Sequence, residues 1–305
     1  MPMLSRENER LLRRLIAKHA LTPVEDAIVE EAAECSLLVR GSREDYAAVG
    51  NSRYGGVPDL PPSIPWPRNC ESYLNFLMQV NLRDVPTITG SPLPKSGMLY
   101  FFLDCDEDGS DVAAQVRFFK GSQTSLRKAT APPNEMLCEP YYRNLMPHKI
   151  KNDCRIDVPN VGSHLFNQVR QSAEMNVTGD AGDRLFQLSN EARRKTSALE
   201  NIRNSRDVGQ LLGCVPWSDE GADLREYAVL KSIGKSAYIS DSTYMKRDQK
   251  KLRAGAVDWR LLWRIRSNLR VGISIHDAGE FNILITIADL KNRDFSKVYV
   301  EVESA

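Results

Sequence analysis

Leu74-Asn-Phe-Leu-Met-Gln-Val80 and, much later, Trp259-Arg-Leu-Leu-Trp-Arg-Ile265 decide how this chain is read. The first follows Gly56-Val-Pro58 and precedes Gly97-Met-Leu-Tyr-Phe-Phe-Leu103, while the second follows Gly213-Cys-Val-Pro216 and precedes Gly279-Glu-Phe-Asn-Ile-Leu-Ile285. The same order stated twice predicts two related β-rich halves, each built on a strand pair whose second strand opens with glycine. Period-two alternation then puts Phe76, Met78 and Val80 on one strand face, as it does Leu261, Trp263 and Ile265, with Gln79, Arg264 and Arg266 on the other. The fold class is α+β: two pseudo-repeated, mainly antiparallel β halves with amino-terminal helices packed on them.

Outside these blocks, Leu11, Leu12, Leu15 and Ile16 recur at helical spacing, so residues 5–20 read as an amphipathic helix. Thr22-Pro-Val-Glu25 has the form of a capping box, and Ala27, Ile28, Ala32, Cys35 and Leu38 extend a second helix from it to Gly41. Residues 53–68 hold Gly55-Gly56 and five prolines, which predicts an extended segment on the surface without regular ladders. Leu185, Leu188 and Ala192 form a helical stripe that Gly179 and Gly182 interrupt. The organisation expected is a helical segment over 1–45 and a domain over 46–305. That domain divides into a first half (46–125), a helical and irregular connection (126–208) and a second half (209–305).

Composition narrows the function. The net charge of +1 excludes a global field steering the molecule to nucleic acid or membrane. Without an apolar leader or an apolar run of spanning length, the default location is cytoplasmic. Six scattered cysteines, with no C-x-x-C pair, read as reduced and mostly buried.

These landmarks resemble the YwqG-like family of bacterial proteins, whose molecular function is unassigned. The resemblance rests on Tyr54-Gly-Gly-Val-Pro58-Asp-Leu-Pro61 with Trp66-Pro67, Phe76-Leu-Met-Gln-Val-Asn-Leu82, and Leu93-Pro-Lys-Ser-Gly97 leading into Leu99-Tyr-Phe-Phe102. It continues through Leu211-Leu-Gly213 with Pro216, Asp258-Trp-Arg-Leu-Leu262, Asp277-Ala-Gly279 and Asp289-Leu-Lys-Asn-Arg-Asp-Phe295. Two departures stand out, Arg264-Ile-Arg266 for glutamine, isoleucine and an acidic residue, and Ile275-His276-Asp277 for Trp-Gly-Asp. If a common ligand touches those positions, this member binds something different. The resemblance implies no catalytic residue.

No motif supplies one either. Asp104, Asp106 and Asp108 with Gly109 match the opening of a calcium loop, but Gln115 stands where the bidentate glutamate belongs, so an acidic hairpin turn is expected and no metal or other cofactor. His276 beside Asp277 would form a dyad only across a turn, and the remaining histidines lack partners at catalytic spacing. Between Arg225 and Arg270 twelve basic residues face four acidic ones, read as a solvated face; the role of 244–253 within it is open. The candidate groove is lined by Arg53, Trp66, Gln79, Arg264 and Arg266, where an anionic group would find guanidinium partners. The function expected is a binding or adaptor protein without chemistry, in an immunity-type role for example, engaging an unknown protein partner or a small anionic ligand, with no membrane or nucleic-acid role. The alternative is a hydrolase-like enzyme with an active site between the halves.

Overall fold

In the computed structural model, residues 3–104, 113–138, 142, 144–159, 180–197, 206–216, 223–235, 250–276 and 278–303 are described. Twelve strands are named among them: β1 (Ala33–Arg43), β2 (Arg53–Tyr54), β3 (Asp59–Leu60), β4 (Asn75–Asn81), β5 (Met98–Leu103), β6 (Ala114–Phe119), β7 (Arg127–Lys128), β8 (His148–Asp157), β9 (Asp207–Leu211), β10 (Trp259–Arg266), β11 (Glu280–Thr286) and β12 (Tyr299–Glu303). The helices are α1 (Arg6–Lys18), α2 (Glu25–Glu31), α3 (Asp180–Thr196), α4 (Leu224–Ser232) and α5 (Ile287–Asn292). The protein is α+β, built on one ten-stranded sheet ordered β12-β11-β10-β9-β1-β8-β2-β4-β5-β6, in which every pairing is antiparallel.

The centre of that sheet is the pair β1·β8, and it is crossed over. β1 precedes β2 to β6 in the chain but lies beside β9, while β8 precedes β9 to β12 but lies beside β2. Each set of hairpins is thus bordered by the strand that leads the other. On either side the hairpins match closely. β4·β5 breaks register between Phe76 and Met78, and β10·β11 between Leu261 and Trp263. Beyond the bulge, Leu82 N donates to Gly97 O at 2.9 Å, and Ser267 N to Gly279 O at 3.1 Å.

The bulge corrects the strict alternation expected from sequence. One extra residue reverses the facing of everything before it. Phe76 therefore packs with Leu74, Tyr100 and Phe102 on the outer face, whereas Leu77, Met78 and Val80 face inward; Leu261 likewise packs with Leu284 and Tyr299, away from Leu262, Trp263 and Ile265. The inner faces of both sides meet in one shared core, where the Phe101 ring lies 6.3 Å from Trp263 and 5.8 Å from Phe281. α4 covers the outer face beside β10, and α1, α2 and α3 pack together over Ile156 and Val158.

Three further expectations are corrected. α1 forms as expected, with Ser5 Oγ accepting from Asn8 N at 3.2 Å and Leu12, Leu15 and Ile16 buried. The second helix, however, stops at Glu31, preceded by a 3₁₀ turn over Thr22–Val24 that has no side-chain cap. Cys35 and Leu38 belong to β1, a strand buried on both faces, so their apolar spacing reflects double burial and not a helical stripe. Residues 53–68 are not a surface strap, because Arg53 and Tyr54 form a ladder with both β4 and β8. The expected connection over 126–208 supplies β8 to the sheet centre, and Gly182 lies within the first turn of α3.

α5 shows how local sequence sets the second-half rim. Thr286 Oγ1 accepts from Asp289 N at 3.0 Å, and the helix ends at Arg293 in the left-handed conformation. Thr286→Ala is expected to lower stability by about 1 kcal/mol, measured as a shift in the urea midpoint with unchanged slope.

Candidate functional site

Four of the five predicted groove residues sit in buried polar clusters, one on each side of the sheet. On β2, Arg53 is fully buried; it pairs with Asp59 at 2.9 Å and Glu44 at 3.3 Å and donates to the Val57 carbonyl at 2.5 Å. Gln79, opposite it on β4, donates to Asp59 Oδ2 at 3.0 Å and accepts from Asp59 N at 2.8 Å. The Tyr100 hydroxyl adds a bond to the Asp59 carbonyl at 2.7 Å, and the Tyr46 ring lies under Arg53 at 4.4 Å.

The second side repeats this with the residue types exchanged: Gln210 on β9 stands opposite Arg264 on β10. Arg264 pairs with Glu280 at 3.0 Å and donates to Asn282 Oδ1 at 3.1 Å, while Arg266 pairs with Asp207 at 2.6 Å and Glu280 at 2.9 Å. Asp157 closes the cluster, accepting from Gln210 at 2.8 Å, Cys214 N at 3.0 Å and Arg193 at 3.2 Å. Burial alone would raise the Asp157 pKa, but Arg193, Arg264 and Arg155 outweigh it and hold the carboxyl well below its ordinary range. Burial would raise Glu280 too, and Arg264 and Arg266 overcome that in the same way.

These pairings correct the sequence-based assignment of Arg53, Gln79, Arg264 and Arg266 to an anion-binding groove. A guanidinium placed in a sheet needs a carboxylate, and these have found internal ones. Both clusters thus hold a cross-strand arginine–glutamine pair, with its members on opposite strands. Of the basic residues over 225–270, Arg264 and Arg266 turn into this network, whereas Lys235, Lys250, Lys251, Arg253 and Arg270 are exposed as expected of a solvated face; residues 236–249 lie outside the described residues.

Trp66 is the exception. Its ring packs edge-on to Phe102 and its indole N–H donates to the Leu74 carbonyl at 2.8 Å, and it opens onto a cleft of about 540 Å³ between residues 63–68, the β6 residues Val116–Phe118 and residues 293–296. Asp106 and Asp108 lie outside the described residues; Asp104 accepts from Asn69 Nδ2 at 2.6 Å. His276 is exposed in the turn before β11, and Asp277 lies outside the described residues. Only Cys35 and Cys214 of the described cysteines are buried, against the expectation for most; burial raises the Cys35 thiol to about 12, far from reactive.

A second cavity, about 500 Å³, was not legible in the sequence. Its walls are the β4–β5 loop (Ile88 to Pro92), Leu212 and Gly213 after β9, Arg260 and Leu261 on β10, and Ile287, Leu290 and Lys291 on α5, with Met3 at one side. The apolar members dominate. Arg260 is tied through Nη1 to the carbonyls of Val257 and Trp259, both at 2.7 Å, and its Nε and Nη2 have no partner among the described residues. Burial, reinforced by nearby Arg225 and only partly offset by Asp258, pulls its pKa below the ordinary guanidinium range. Lys291 is exposed and has no ion pair among the described residues.

No helix among the described residues is long and apolar enough to cross a membrane. No curated protein matches the chain in sequence. The model of a family described as a domain of unknown function (DUF1963) matches residues 52–303, a span that runs from the start of β2 to the end of β12 and takes in Arg53, Asp59 and Gln79 of the first polar cluster, the whole of the second, and nearly all of the second cavity's wall. The chain belongs to that family.

Proposed function

We propose that this protein is a binding protein without chemistry of its own, holding a small ligand with an apolar body and an anionic head in the cavity between the β4–β5 loop and α5. The observation that carries the reading is the pairing of apolar walls with Arg260 and Lys291, two cations without carboxylate partners among the described residues. The volume lies within the range of about 300 to 1,000 Å³ usual for small-molecule sites. A hydrolase-like alternative would call for converging acid and base groups, whereas the ionisable residues lining this cavity are both basic. The narrower YwqG-like affiliation, a bacterial origin, a cytoplasmic location and an adaptor or immunity-type role belong to the same reading.

Sodium decanoate is a suitable probe, with decanol and hexanoate as controls. A ligand held only by the native state at about one hundred times its Kd stabilises it by about 2.7 kcal/mol, a shift of several degrees in melting temperature. Decanoate is expected to give that shift, both controls much less, and Arg260→Gln about a tenfold weaker Kd by calorimetry. Equal shifts with decanol and decanoate, or none with either, would remove the anionic-head assignment.

A further inference from the structure

The cleft beside Trp66 differs from the cavity in both shape and chemistry. One wall is β6, which ends the sheet order and pairs only with β5, so its outer edge has no strand beside it among the described residues. Facing it are the residues after α5, and the Phe118 and Phe295 rings meet at 5.1 Å across the seam. Trp66 completes an aromatic floor.

Around this floor stand Arg68, Arg117 and Arg293, all exposed. None has a carboxylate partner among the described residues: Arg68 lies over the Tyr73 ring at 5.3 Å, and Arg117 donates to Gln115 at 2.5 Å. The one acidic lining residue, Asp294, is engaged by Lys297 at 3.1 Å. An exposed edge strand is commonly blunted by charge alone. Here the charges rim a concave, aromatic-floored cleft, an arrangement suited to holding a chain.

We infer that the β6 edge is a docking site for an extended acidic segment of a partner protein, which adds as a strand to the sheet. Main-chain hydrogen bonds to β6 would supply affinity, alternate apolar side chains would rest on the half-buried rings of Trp66 and Phe118, backed by the buried Phe295, and the intervening carboxylates would meet the three arginines. This site is separate from the small-ligand cavity and stands or falls independently of it.

The test is fluorescence anisotropy with the full chain and a fluorescein-labelled nonapeptide alternating Glu and Val. Comparison probes are its Lys/Val counterpart, the Glu/Val peptide N-methylated at alternate amides in either register, and a fluorescein-labelled thymidine octamer. Saturable binding at low ionic strength is expected for the Glu/Val peptide, weakened about tenfold by Arg117→Glu with Arg293→Glu and by one methylation register only. Because both arginines are exposed, the double variant should melt as the parent does; if it does not fold, Arg117→Gln with Arg293→Gln is expected to weaken binding about threefold or more. Absence of saturable binding, equal binding of the Lys/Val peptide, tighter binding of the thymidine octamer, or indifference to the arginine changes would each overturn the assignment.

Discussion

Trp263→Ala is expected to cost about 3 to 5 kcal/mol in urea unfolding, the range for truncating a large aromatic side chain in a core. Trp263 is fully buried, lies on a central strand between β9 and β11, and meets Phe101 from the opposite side of the sheet at 65° between ring planes. Truncation therefore opens a void where the two inner faces join, which neither can close without moving its own ladder. The indole N–H has no hydrogen-bond partner among the described residues, so Trp263→Phe removes an unsatisfied donor along with some volume. That variant should lose less than about 1.5 kcal/mol. A loss below about 1 kcal/mol for alanine would mean that the two faces do not share a core.

Asp157→Asn comes next, at about 3 to 5 kcal/mol near neutral pH, because it leaves Arg155, Arg193 and Arg264 around a neutral amide in a buried site. The effect carries a pH signature. The Asp157 pKa is depressed in the folded state, so its contribution is complete above the ordinary carboxylate value of 3.8 and is lost as pH falls from there towards the folded value. Urea midpoints measured from pH 7 down to about 3 should show parent and variant converging on the acid side. A gap of constant size across that range would show that the carboxylate charge is not what Asp157 contributes.

Much of the sheet was legible because its hairpins are written plainly. Glycine opens β5, and Met98–Leu103 and Glu280–Thr286 appear as the strands their composition predicts. The bulges were not legible, since one added residue leaves no mark in composition; it shows only when Phe76 and Leu261 are found facing away from Met78 and Trp263. β1 was misread for a related reason. It follows Glu31 without a turn signal and is buried on both faces, and a doubly buried strand has no alternation to betray it. At the functional level, Arg53, Gln79, Arg264 and Arg266 were correctly singled out as polar residues in apolar strands, but sequence does not show that Glu44, Asp59, Asp207 and Glu280 come to meet them. Arg260 and Lys291 carried no signal, because the cavity is assembled from segments far apart in the chain.

The crossed strands at the sheet centre impose a schedule on folding. Leu37 of β1 is paired with Asp153 on one side and Gln210 on the other, so a strand made early during synthesis has no neighbour until residues 148–157 have been made and lacks its second until 207–211 have followed. Until then its apolar edge is open to other chains, and the order of events favours slow, late closure with a demand for chaperone protection. Cutting the gene between the hairpin sets would give two fragments, each carrying the leading strand that borders the other's hairpins. Such fragments should be poorly soluble alone and recover the native fold on mixing, which makes the protein a natural candidate for split-reporter complementation.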